Sequence, residues 1–350
     1  MLGLMPGRLL AYEEQISVTN TLDGTVLNGT LSLPETQKPT AVIVLATGSG
    51  LQDRDETIGN HKPFKDIADY LCSNGFAVIR TDDRGYGNPI DTALVERSTQ
   101  WDELSDYRCV IESAKKDARF EGLRVGMLGH SLGGSEAIMA FSKSEKAKPY
   151  NAVGATPDFI ITLAAPTVAG DSLVLDQLRL QLKMQGAEYM YDMYAQMVGK
   201  RYAWAKSFIP ESALRKTLFD DVVSTIPGGE AALNDDARKV IDAQVDIFCS
   251  PAYREMLRYD PADDIVCIEV PWFALYGTKD TQVSAALNAG RLKELAAAKP
   301  NINIAELVDK NHLFQNAITG AIQEYDQING SISDDVLQEI LEWLLDNATR

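Results

Sequence analysis

The sequence predicts an α/β fold: a mostly parallel, doubly wound sheet, entered through an antiparallel hairpin and interrupted by a long helical insertion. Three observations carry that expectation. Short apolar runs alternate with helical patterns, as strands buried on both faces by crossover helices require. The rhythm stops after Pro166 and resumes near residue 270, leaving a stretch with helical patterning and almost no strand signal. Near the start, two alternating segments flank Asp23-Gly24, a strong hairpin turn signal.

The elements follow in order. Residues 15–19 and 25–33 are the hairpin strands, an antiparallel edge to the larger sheet. Residues 41–46 are a fully apolar strand, and 63–71 a helix closed by Asn74-Gly75. Another strand spans 76–80, before the loop Asp82-Asp83-Arg84-Gly85. A helix over 101–116 leads to a strand over 123–128, a helix over 135–142 and a strand over 159–164. After the insertion come a strand over 270–276, a helix over 284–298, a strand over 302–308 and an amphipathic helix over 334–347. The expected organisation is a core from 1–166 and 261–350, with 167–260 as a helical cap.

Composition bounds the function. The chain has 350 residues, 45% hydrophobic and 24% charged, ordinary values for a globular enzyme. A formal net charge of −17 argues against nucleic acid, which needs a basic face to displace counterions. Cys72, Cys109, Cys249 and Cys267 are scattered without a C-x-x-C pair, the pattern of reduced, buried thiols. The first ten residues lack a basic segment followed by a long apolar run, and no run of eighteen apolar residues exists to span a membrane. The expected location is cytoplasmic. Oligomeric state is not legible.

The chemistry starts at Gly129-His-Ser-Leu-Gly133. A buried strand runs into a sharp turn and then a helix, with Ser131 at the apex. Such an elbow holds the serine at φ > 0, with glycines two residues either side so that the backbone can cross itself. The same letters also occur in ordinary strand–turn–helix connections, so the rest of the chain must decide. Serine needs a base, and there are only three histidines. His130 sits beside the serine, with its ring expected to point away, and reads as structural. His61 lies upstream, ahead of a helix. His312 follows a predicted strand, in the kind of loop where open α/β sheets gather their sites, and is the expected base. Asp280, in the loop after the strand over 270–276, is the expected acid that fixes the imidazole; Asp309 is the runner-up.

A developing oxyanion requires preorganised N–H donors. The expected donors are the Leu132 amide at the helix start and the Ser49 amide in Ala46-Thr-Gly-Ser-Gly50, with Gly50 second. No Gly-Lys-Ser/Thr follows that loop, which excludes a phosphate-binding P-loop, and no histidine–carboxylate set has metal spacing. In the insertion, four of the nine methionines fall between Met184 and Met197, among tyrosines. Met190, Tyr194 and Met197 are the candidate substrate contacts, although such a stripe also serves simply to pack helices.

Taken together, the stretch 48–56, His61-Lys-Pro-Phe64, Asp82-Asp-Arg-Gly85, Gly129-His-Ser-Leu-Gly133, Gly277-Thr-Lys-Asp-Thr-Gln-Val283 and Asn311-His-Leu-Phe314 resemble the α/β-hydrolase superfamily, and within it bacterial serine carboxylesterases. The resemblance covers the body of the chain and hardly touches the insertion. It implies a cofactor-free hydrolase of small-molecule carboxylic esters, with Ser131, Asp280 and His312 as triad and Ser49 and Leu132 as oxyanion hole. Relatives are also labelled peptidase-like or thioesterase-like. The alternatives are therefore a peptidase or acyl thioesterase with the same triad, or a non-catalytic binding protein on this fold. Leu51 and Ser284 stand where relatives often have proline, a departure confined to loop geometry.

Overall fold

The structure is a computed structural model and describes residues 12–349. The N-terminal stretch read above for a leader lies outside the described residues. The chain divides into two compact units: one holds the residues up to Asp91, Trp101–Val168 and those from Pro261 onward; the other holds Thr92–Gln100 and Ala169–Asp260.

The first unit is built on one sheet of eight strands: β1 (Tyr12–Thr19), β2 (Val26–Leu33), β3 (Val42–Ala46), β4 (Ala77–Thr81), β5 (Val125–His130), β6 (Ile160–Leu163), β7 (Trp272–Gly277) and β8 (Ile302–Leu307). Their spatial order is β1-β2-β4-β3-β5-β6-β7-β8. β1 pairs with β2, and β2 with β4, antiparallel; every later pairing is parallel. The predicted sheet and its antiparallel hairpin are therefore present. The hairpin closes at Gly24, whose φ of 83° suits a residue without a side chain. β1 begins at Tyr12 rather than at Gln15, because an edge strand with an exposed face shows little apolar alternation while backbone pairing still extends it.

β3, β4, β5 and β7 are buried along their whole length, as covered parallel strands must be. The helices are, in chain order, α1 (Pro63–Ser73), α2 (Thr92–Arg97), α3 (Gln100–Lys116), α4 (Leu132–Met139), α5 (Lys148–Asn151), α6 (Gly170–Met184), α7 (Tyr191–Lys206), α8 (Glu211–Ser224), α9 (Asp235–Cys249), α10 (Pro251–Arg258), α11 (Ala262–Ile265), α12 (Ala285–Leu295) and α13 (Asp334–Asn347). α1, α4 and α12 pack on the strands. α13 closes the sheet through Trp343, stacked on Phe273 of β7 with ring centroids 5.6 Å apart. The chain passes from β3 outward to β4, then returns to β5 on the other side of β3. The C-terminal ends of β3 and β5 thus form the switch point at which open α/β sheets hold their ligands.

α4 starts at Leu132, three residues before the predicted helix, because Gly133 and Gly134 are poor helix formers by propensity. Packing demands them here. A methyl on Gly133 would fall on the carbonyl oxygen of Ala46, and one on Gly134 would lie 2.6 Å from the Ala165 side chain.

The second unit is helical. α8 and α9 pack together, as do α6 and α7, and α10 with α6, α7, α9 and α2. Its core includes Leu214, Leu218, Ile241, Val245 and Leu257, with Tyr202 and Trp204 packed against them. The Gly170 amide donates to the Tyr259 carbonyl over 3.0 Å, so the ends of the long insertion are pinned together. Arg254 and Arg258 donate to the carbonyls of residues 205–209, satisfying the C-terminal end of α7.

Candidate active site

β5 delivers Ser131 at φ 52° and ψ −113°, a region L residues avoid unless surroundings over-determine it. Those surroundings are explicit. The Ser131 amide donates to the Leu163 carbonyl of β6 over 2.8 Å, and the Ser131 carbonyl accepts from Gly134 and Ser135. A methyl on Gly129 would land on the carbonyl of Gly133, which is why both flanking positions are glycine. Ser131 caps α4 without a side-chain bond to it, so its hydroxyl is left for other work.

The loop after β3 lies against this turn: a methyl on Gly48 would sit 3.4 Å from the Ser131 Cβ. Asp83 holds that loop, accepting from the Thr47 hydroxyl at 2.6 Å and from the Gln52 amide at 2.7 Å. Burial pushes the Asp83 carboxyl well above its usual range, against the effect of those two bonds. Ser49 and Gly50 stay exposed, Gly50 at φ 99°. Among the described residues, the amides of Ser49, Gly50 and Leu132 donate to no protein acceptor. They are the three donors the sequence nominates.

Asp280 and His312 come from the loops after β7 and β8. These loops clasp each other: the Lys279 amide donates to the Lys310 carbonyl over 2.9 Å, and a methyl on Gly277 would collide with that same carbonyl. Asp280 Oδ1 accepts from the amides of Gln282 and Val283, and Oδ2 accepts from His312 Nδ1 at 2.8 Å. Both side chains are buried. Asn311 shapes the turn around His312 through bonds from the amides of Leu313 and Gln315. Asp309, the runner-up acid, is exposed and lies 3.7 Å from Lys279 Nζ instead. His61 is committed to the Tyr325 carbonyl at 2.8 Å.

The elbow and the His312 loop meet through His130. Its ring lies 4.7 Å from that of His312, centroid to centroid, and its Nε2 bonds to the His312 carbonyl over 2.9 Å. Among the described residues no hydrogen bond joins the Ser131 hydroxyl to the His312 ring; serine hydroxyls often close that contact only when substrate is bound. Glu56, which the sequence analysis gives no role, is buried against His130. A letter string does not distinguish a buried acid from a solvated one; the only signal was its place at the end of the stretch 48–56.

Met190, Tyr194 and Met197 lie in the helical unit, at and within the start of α7, partly exposed. Nearby Tyr202 and Trp204 pack on that unit's own core, so part of the aromatic stripe is structural. Among the described residues, no group of three or more His, Cys, Asp or Glu side chains could hold a metal ion, and no helix is long and apolar enough to cross a membrane.

A strained serine at the mouth of a parallel sheet, free amides beside it and a histidine–aspartate pair at the same edge are the parts a hydrolase of this fold requires. The match to the model of the alpha/beta hydrolase family over residues 43–317 places the chain in that family. It is 27% identical to the esterase EstD of Thermotoga maritima over 339 residues, 96% of this chain and 68% of that protein. Among solved structures, an esterase of Pyrococcus furiosus shares the fold with a TM-score of 0.56 at 14% identity, covering 99% of this chain and 96% of its own. The alpha/beta hydrolase GrgF of Penicillium gives 0.54 at 14% identity, covering 97% and 100%.

Proposed function

We propose that this protein is a carboxylesterase that works through a covalent acyl-enzyme. The observation that carries the reading is the Asp280–His312 hydrogen bond at the sheet edge that also bears Ser131. Ser131 Oγ attacks the ester carbonyl while its proton passes to His312 Nε2, the ring nitrogen Asp280 leaves available. The carbonyl oxygen becomes an oxyanion facing the amides of Leu132 and Ser49, with Gly50 in reserve; such donors commonly contribute more than any other single interaction. Collapse expels the alcohol, which takes the proton from His312. Water then repeats the cycle and releases the acid.

Asp280 holds the imidazole in the tautomer with hydrogen on Nδ1 and stabilises the imidazolium that forms. Support for an ester as substrate comes from the likeness to the EstD esterase across nearly the whole chain. The methionine- and tyrosine-rich start of α7 makes Met190, Tyr194 and Met197 the residues proposed to select small to medium apolar groups, and the helical unit the proposed cap.

The test is turnover of a chromogenic short-chain ester beside the matching thioester and aminoacyl anilide. The wild-type chain should cleave the ester fastest, and Ser131→Ala should lose that activity. Undiminished hydrolysis by Ser131→Ala would contradict the reading.

A further inference from the structure

The proposed reaction leaves unused a second buried histidine–carboxylate pair, one residue from the nucleophile. Glu56 Oε1 receives two donors, the Gly48 amide at 2.6 Å and His130 Nδ1 at 2.8 Å. On the other side of the ring, His130 Nε2 lies 2.9 Å from the His312 carbonyl oxygen. A carbonyl has no proton to give, so Nε2 carries hydrogen. The Gly48 contact is at the short end of the amide range, the length an ionised acceptor favours. With Glu56 ionised, Nδ1 carries hydrogen as well.

We propose that His130 is an imidazolium paired with Glu56, and that this ion pair is a positioning device that locks three loops of the active site together. The inference rests on the esterase reading for its purpose, not for its chemistry. Gly48 belongs to the loop of the oxyanion amides after β3, His130 to the elbow after β5, and His312 to the loop after β8. Three segments that must be held in register for acyl transfer are thus bonded to one pair of side chains.

The surroundings fit a charge pair. The hollow beside it is lined by Phe64, Ile67, Leu163, Leu313 and Phe314, and Glu56 Oε2 has no partner. An ionised carboxylate there needs a counter-charge in contact, which an imidazolium supplies. Burial pulls the His130 ring down, but the Glu56 charge, the bonds to Glu56 and to the His312 carbonyl, and the Asp280 charge together lift it above its ordinary 6.5. Space is equally committed, since a methyl on Gly48 would lie 2.9 Å from Glu56 Oε1 and 3.3 Å from His130 Nδ1.

With only three histidines in the chain, nitrogen NMR of the full-length protein labelled with 15N-histidine reads each ring separately. At about pH 8, where an ordinary histidine is neutral, His130 should show both nitrogens protonated. Glu56→Gln, which keeps an acceptor but removes the charge, should return His130 to a neutral tautomer. It should lower kcat about tenfold, and Glu56→Ala about a hundredfold, with KM little changed, the scale expected of small misplacements in an active site. A bare nitrogen on His130 in the wild-type protein overturns the ion pair. An unchanged kcat in Glu56→Gln overturns its positioning role. If the ester reading fails instead, Ser131→Ala keeps its activity while the NMR result stands.

Discussion

Asp280 and His312 sit 32 positions apart in the chain and meet in a 2.8 Å hydrogen bond between Oδ2 and Nδ1. The other oxygen of Asp280 is already occupied by the amides of Gln282 and Val283, so the carboxylate cannot swing to offer a different lone pair. The imidazole is held in one tautomer by a group that is itself held from two sides.

Asp280→Asn tests the consequence. An asparagine fits the same space, but its NH2 group can face Nδ1 and force the hydrogen onto Nε2, where the base must be bare. A drop in kcat on the order of 10⁴ is expected, the size seen when the equivalent acid is lost in serine proteases, with KM little affected. Steady-state kinetics on a chromogenic ester measure it. A drop below about tenfold would remove Asp280 from the proposed triad.

Gly133→Ala separates space from backbone strain. At Gly133 the obstacle is the Ala46 carbonyl, whereas Gly122 has a φ of 78° and nothing within 4 Å of an added methyl. The first substitution should cost about 3 kcal/mol or more by overpacking. Gly122→Ala should cost only about 1 to 2 kcal/mol, the conformational penalty alone. Denaturant unfolding midpoints of both variants decide it, and the reverse order would contradict the packing around the elbow.

Glu136, buried in α4, shares a hydrogen bond with the half-buried Glu103. Burial first, then the charge and hydrogen bond of Glu103, push the Glu136 carboxyl well above its ordinary 4.5. The folded protein therefore holds a proton that the unfolded chain releases near 4.5, and the stability this contributes falls as pH rises above that value. Glu136→Gln supplies the shared hydrogen permanently. It should flatten the decline in stability with rising pH and leave the variant more stable than wild type in the alkaline range. Parallel stability curves from pH titration of the unfolding midpoint would contradict the shared proton.

The proposed site was legible because its parts sit where strands end. Ser131 and Asp280 follow apolar runs and His312 follows the alternating strand β8, each within a few residues, and glycines mark the places where the backbone crosses itself. What escaped depends on distant neighbours. Glu56 and Asp83 differ from solvated acids only through burial that the whole sheet creates. α4 begins among glycines because β3 lies against it, not because glycine favours helix. α2 was missed because six residues are too few to show a period. The start of β1 was misplaced because its partner strand, and not its own pattern, sets its length.

The most direct test of the account is the site and rate of covalent labelling by a fluorophosphonate. Peptide mass spectrometry should find one adduct, on Ser131, in the wild-type protein, and His312→Ala should form it at least about a thousandfold more slowly. An adduct on any other residue, or equal labelling rates in the two proteins, would contradict a serine activated by His312.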